Sequence, residues 1–206
     1  MPTQPTAQLP RAFFARDTRL VARDLLGQVM VRLMADGARL AGRIVEVEAY
    51  RPDDAASHSF RGRTLRTQPM FGEAGHLYVY LIYGMHFCAN IVTEAEDVGA
   101  AVLLRALEPI EGIEHMRQNY GRVLPDRDLC RGPGRLCKAL LINRSDNGHD
   151  LAQPHGRLFI EHGSPIPDEQ VITSPRIGVT GDDLARSVAW RWTIKDSQFV
   201  SGRPLA

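Results

Sequence analysis

Lysine is almost missing from this chain: of its 25 basic residues only Lys138 and Lys195 are lysine, and the other 23 are arginine. Chemistry that runs through a lysine amine, such as a Schiff base, has at most two candidates. Cysteine is scarce too. Cys88, Cys130 and Cys137 are odd in number and too far apart for a Cys-x-x-Cys site, which disfavours both a disulfide framework and a zinc cluster. They read as buried small apolar residues. No apolar run approaches the roughly 20 residues of a membrane span. The opening MPTQPTAQLP lacks the charged-then-apolar layout of a signal peptide. These absences predict a cytoplasmic protein, nucleoid-associated if bacterial, with no membrane partner.

What remains is a composition ordinary for a globular domain, 44% hydrophobic and 24% charged over 206 residues. That length suffices for one domain with its own core. There are no internal repeats and no linker, so residues 11–206 are expected to form a single unit behind a Pro-containing, disordered tail at 1–10. The net charge of +1 hides an uneven distribution. From Arg117 to Arg144 seven basic residues face only Asp126 and Asp128. Such a stretch fits a solvated face, and it also suits the phosphates of a duplex.

Periodicity predicts an α+β fold, with a curved, mainly antiparallel sheet flanked by helices and a protruding hairpin. FFARDTRLVARDLLG reads as a helix capped by Asp17, with Leu20, Val21, Leu25 and Leu26 on its apolar stripe. QVMVRLMA and ARLAGRIVEVEAY form a hairpin about Asp36-Gly37. HLYVYLIYGMHFCANIVTE and VGAAVLLRALEP give three more antiparallel strands, Tyr78, Tyr80 and Ile82 sharing one face and Tyr83 lying at the bend. PIEGIEHMRQNYG is predicted helical with Pro109 in its first turn, and RGPGRLCKALLIN is a helix opened by a Gly-Pro-Gly turn. RLFIEHG, SPRIGVTG and WRWTIKDSQFVSG read as further strands, and DDLARS as one helical turn.

Chemistry concentrates in RIVEVEAY, residues 43–50. Alternation puts Ile44, Glu46, Glu48 and Tyr50 on one face and Val45, Val47 and Ala49 on the other. A half-exposed strand with solvated glutamates explains this octapeptide as well as an acid-base site does. Asn90 and Arg105 are polar residues within strands that otherwise read as interior, so each needs a partner or a substrate. The long loop from Arg51 to Gly75 carries His58 and the arginines Arg61, Arg63 and Arg66. A loop of that length inside a compact domain is usually functional or disordered, and Met70 and Phe71 argue that it is anchored. A tyrosine at a hairpin tip, Tyr83, is poorly placed to fill its own core and well placed to wedge into something else.

In order along the chain, RIVEVEAY, ASHSFRGRT, MFGEAGHLYVYLIYGMHFCAN, LLRALEP, GPGRLCKAL and PRIGV resemble the segments of the alkyladenine (3-methyladenine) DNA glycosylase family. The likeness runs from about Phe13 to Ser201. It implies an enzyme that flips an alkylated or deaminated purine out of duplex DNA and hydrolyses its N-glycosidic bond as a monomer, with no metal, other cofactor or covalent intermediate. Glu48 is then the general base that orients water, with Arg105 and the main-chain carbonyl of Ile177 helping to hold that water. Tyr50, His58 and Tyr80 wall the flipped base, Asn90 excludes guanine, and Tyr83 enters the duplex. Arg61, Arg63, Arg66, Arg131 and Arg135 are candidates for the DNA backbone. Family members commonly carry Arg-Asn before the Met-Phe pair, where this chain has Arg66-Thr67, and the segment between Tyr50 and His58 is one residue shorter than in the human member. Three alternatives remain: a glycosylase-lyase, which lysine scarcity disfavours; a non-catalytic nucleic-acid-binding domain, which Glu48 within the motif disfavours; and a hydrolase of free nucleosides, which Tyr83 and the basic stretch disfavour.

Overall fold

The computed structural model describes residues 8–202. Among them eight strands form one sheet: β1 (Val29–Leu33), β2 (Arg39–Tyr50), β3 (Leu77–Ile82), β4 (His86–Thr93), β5 (Ala100–Glu111), β6 (Leu158–Glu161), β7 (Val171–Ser174) and β8 (Arg191–Ile194). Every pairing is antiparallel. The helices are α1 (Arg11–Phe14), α2 (Thr18–Leu25), α3 (Ile113–Gln118), α4 (Asp126–Leu129), α5 (Pro133–Ala139) and α6 (Asp183–Ser187). All are too short to persist alone and depend on packing against the sheet. The architecture is the expected α+β one.

The axis of the sheet is β2. One of its edges runs against β5 for nearly its whole length, while the other is shared, Arg39–Arg43 pairing with β1 and Glu46–Glu48 with β8. Residues 40–42 and 44–49 are buried, so this strand has no solvent face. The half-exposed reading of RIVEVEAY is therefore overturned: Glu46 and Glu48 are both 0% exposed. The strict alternation fails as well. Ile44 lies opposite Leu107 and Glu46 opposite Ala106, which leaves Val45 as an extra, bulged residue. Ile44 consequently joins Val45, Val47 and Ala49 in the apolar core, and the two glutamates remain together.

Other boundaries differ from the expected ones for local reasons. Asp17 does cap α2, accepting from Arg19 N at 2.9 Å. The buried stripe, however, is Thr18, Val21, Ala22 and Leu25, the i, i+3, i+4, i+7 spacing, and Leu20 points outward. Pro109 sits inside β5 opposite Gly42; α3 begins only after Gly112, whose left-handed φ of +70° and lack of a Cβ avoid a 2.5 Å clash with the Arg39 carbonyl. SPRIGVTG is irregular, the strand being β7 just before it, because Pro175 cannot donate to a ladder. Gln8 and Leu9, expected in the tail, join the fold, Leu9 N bonding Ile160 O at 2.8 Å; residues 1–7 lie outside the described residues. No helix among the described residues is long and apolar enough to cross a membrane.

Candidate active site

Glu46 and Glu48, two residues apart and both beyond the bulge in β2, lie on one side of the strand, where a single guanidinium meets both. Arg105, at the middle of β5, donates from Nε to Glu46 Oε1 at 2.8 Å and from Nη1 to Glu48 Oε2 at 3.2 Å. Glu48 receives two further bonds: Tyr50 Oη to Oε2 at 2.8 Å and Ile177 N to Oε1 at 2.8 Å. Two buried anions are tolerable only because cations and donors surround them. Arg191 of β8 supplies the second cation, Nε to Glu46 Oε1 at 2.7 Å. The Tyr50 hydroxyl is held protonated, its pKa raised by burial and by the Glu48 charge, so it stays a donor. Ile177 thus enters through its N–H, an interaction additional to the carbonyl role implied by resemblance.

Irregular segment 175–181 reaches Glu48 because Arg176 anchors it. Arg176 is buried, forms a two-bond fork with Asp54 (Nη2 to Oδ1 at 2.9 Å, Nη1 to Oδ2), and bonds Ala49 O and Ala185 O. Its guanidinium also lies 4.6 Å over the ring of Tyr50 and 5.5 Å over that of Trp190. One salt bridge therefore fixes both the loop that delivers Ile177 and the ring that delivers a hydroxyl to Glu48.

Beside Tyr50 opens a cavity of about 200 Å³ lined also by His58, Met70, Tyr78, Tyr80, Ile82, Asn90 and residues 178–180. All four residues expected to form the base pocket, Tyr50, His58, Tyr80 and Asn90, meet here. His58 Nδ1 and Tyr78 Oη share a 3.0 Å hydrogen bond, and the His58 ring stands edge-on to Tyr80 at 4.6 Å. Burial and then Arg66 lower the His58 pKa, which keeps the imidazole neutral near pH 7. Asn90 Nδ2 donates to Tyr78 O at 3.1 Å, so the amide is fixed in orientation. No acidic side chain lines the cavity. A larger surface groove of about 930 Å³, bounded by Pro109, Val123 and Phe199, contains none of these residues.

At the far end of the β3–β4 hairpin, Tyr83 is 84% exposed and Met85 70%. Tyr83 and Gly84 both have positive φ, +52° and +69°, as in the tight turns that suit twisted strands. For tyrosine that conformation costs roughly 1–3 kcal/mol. Loop 61–66 flanks the pocket face of this hairpin, with Arg66 over the Tyr80 ring at 5.5 Å and Arg63 paired with Asp97. Helix α5 packs against β4, its Leu136 and Cys137 belonging to the same core as Val79, Ala89 and Ile91, which form the hairpin face turned away from the pocket. Arg131 and Arg135 are partly committed, Arg131 Nε to Val200 O at 2.8 Å and Arg135 Nη1 to Asp128 Oδ1 at 3.2 Å. Thr67 serves its own loop, Oγ1 accepting from Thr64 N at 2.9 Å and closing the arginine turn. Among the described residues no cluster of three or more potential metal ligands occurs, and the three cysteines are free and buried.

Sequence reasoning missed Asp54, Arg176, Arg191 and Ser201. Arg191 had a signal, an arginine flanked by Trp190 and Trp192 in an apolar strand; Ser201 and Asp54 had none, since their roles depend on chain crossings far apart in sequence.

The site thus combines a buried carboxylate beside an aromatic pocket, basic flanks and an exposed aromatic tip. Residues 12–198 match the family model described as Methylpurine-DNA glycosylase (MPG), and the chain belongs to that family. Similar proteins include a "Putative 3-methyladenine DNA glycosylase" of Anaeromyxobacter dehalogenans 2CP-C, 50% identical over 94% of this chain and 86% of the other. One so named from Burkholderia lata is 45% identical over 98% of this chain and 94% of the other. The mouse "DNA-3-methyladenine glycosylase" is 46% identical over 98% of this chain and 62% of its own length.

Proposed function

We propose that this protein is a monofunctional DNA glycosylase that takes an alkylated or deaminated purine out of duplex DNA and hydrolyses its N-glycosidic bond. The observation that carries the reading is Glu48, an ionisable group with no exposed surface, held by three donors and joined to the aromatic cavity through Tyr50. In the reaction the C1′–N bond breaks, the base leaving with its electron pair while positive charge builds on the sugar. Water forms the new C1′–O bond and gives its proton to Glu48, whose charge also stabilises the developing cation. Tyr50, Tyr80 and His58 stack against the extruded base, Asn90 opposes the exocyclic amine of guanine, and Tyr83 fills the vacated stack. The basic flanks on either face of the hairpin hold the phosphates on each side of that tip. Neither Lys138 nor Lys195 lines the cavity, so a Schiff base with the sugar has no amine there. In this reading the protein is a cytoplasmic monomer, nucleoid-associated if bacterial, acting on double-stranded DNA.

The test is incubation with duplexes that each hold one 3-methyladenine, 7-methylguanine, hypoxanthine or ethenoadenine. Release of free base with the backbone intact until alkali is added is the expected result. Strand cleavage without alkali, or no release from any duplex, contradicts the reading.

A further inference from the structure

Glu46 has no part in the reaction just described, yet it is buried and accepts four hydrogen bonds. Oε1 takes Arg105 Nε at 2.8 Å, Arg191 Nε at 2.7 Å and Ser201 Oγ at 3.0 Å, and Oε2 takes Ser201 N at 2.5 Å. We propose that Glu46, fixed by Arg191 and Ser201, is a positioning residue that divides the Arg105 guanidinium between two carboxylates and so denies Glu48 a two-bond ion pair; this rests on Glu48 being the base.

An arginine beside one carboxylate settles into a two-bond fork. Such a partner lowers a carboxylate pKa by about 1–3 units and makes it a poor proton acceptor. Here the fork is denied. Nε is spent on Glu46 and Nη2 on Ser201 Oγ at 3.1 Å, which leaves Glu48 the single Nη1 contact at 3.2 Å, longer than the 2.8 Å bond to Glu46. Ser201 is held in turn by Arg191 Nη2 to its carbonyl at 3.0 Å, and the neighbouring Val200 carbonyl by Arg131 Nε at 2.8 Å. The segment at 200–201 therefore straps the carboxylate pair from outside. Glu48 faces Arg105 of β5, Glu46 and Tyr50 of β2, Arg191 at the paired position of β8, Arg176 behind Tyr50, and Cys88 of β4 with Tyr80 of β3. Burial keeps Cys88, Tyr80 and Tyr50 protonated; Arg176 is already paired with Asp54, which leaves Glu46 as the anion and Arg105 and Arg191 as the cations beside Glu48.

Single-turnover excision, followed against pH on the lesion released fastest by the wild type, tests this. Removing the Glu46 charge eases ionisation of Glu48 and frees Arg105 for it. Glu46→Gln should move the acid limb down by about one pH unit and lower the plateau about tenfold. Arg191→Gln removes a cation and should move the limb upward. Opposite displacements cannot come from partial unfolding, which lowers the rate at all pH values. If Glu46→Gln does not fold, Ser201→Ala removes only the hydroxyl between Glu46 and Arg105 and should shift the limb downward by less, with Ser201→Thr restoring it. An unmoved limb in Glu46→Gln or Ser201→Ala, or both charge variants moving the same way, overturns the proposal while Glu48→Gln stays inactive. An active Glu48→Gln overturns the base assignment itself.

Discussion

At the scale of single residues, the site is a set of side chains whose polar groups are already spoken for. Asn90 is an example: its Nδ2 is committed to Tyr78 O, so the amide cannot turn to make room for a larger base. On the proposed function, exclusion of guanine rests on a clash built into the wall. Asn90→Ser removes that bulk and is expected to admit unmodified guanine as a weak substrate; release of guanine at background, with lesion activity intact, would make Asn90 a purely structural residue. Tyr50 shows what residue types alone conceal. An aromatic cage read from sequence suits a cationic purine through its π-faces, yet the Tyr50 ring already carries a permanent cation, Arg176, at 4.6 Å. On the proposed function, its contribution to binding a charged base is correspondingly reduced.

At the scale of elements, strands are legible wherever apolar residues and turn residues agree. The Asp36-Gly37 hairpin and the three strands β3, β4 and β5 follow from the pattern, and so does the turn at Tyr83. What escapes are features that no local pattern encodes. A one-residue bulge at Val45 shifts Ile44 into the core, and β2 is covered on both faces while β8 returns to its edge from far along the chain, Arg191 meeting Glu46 across 145 residues. Pro109 belongs to β5 rather than to a helix, because a proline near a strand's end and one in a helix's first turn look alike until the neighbouring register is known. The β3–β4 hairpin makes its own prediction. Its tip holds a tyrosine in a left-handed conformation, outside the core. Extruding a base costs a few kcal/mol of stacking unless something fills the gap. Tyr83→Ser should therefore reduce the flipped population of ethenoadenine in duplex DNA, read by its fluorescence, and much less in single strands. Equal effects in the two contexts would contradict the wedge.

At the scale of the molecule, one sheet organises everything: β2 carries the carboxylates, β5 the arginine between them, β3 and β4 the pocket wall and tip, and β8 the second cation. Helix α5 and loop 61–66 bring positive charge to opposite faces of the same hairpin, so the tip projects between them. On the proposed function this division of labour makes binding and chemistry separable, since the candidate DNA-contacting residues do not include Glu48, the proposed proton acceptor. Glu48→Gln exploits that separation, because the amide keeps the shape of the buried group and cannot accept a proton from water. The decisive measurement is binding and single-turnover excision by wild-type and Glu48→Gln protein on one lesion-bearing duplex. The account predicts affinity within a few-fold of wild type and excision slower by about 10²–10⁴-fold; excision by Glu48→Gln at the wild-type rate would contradict it.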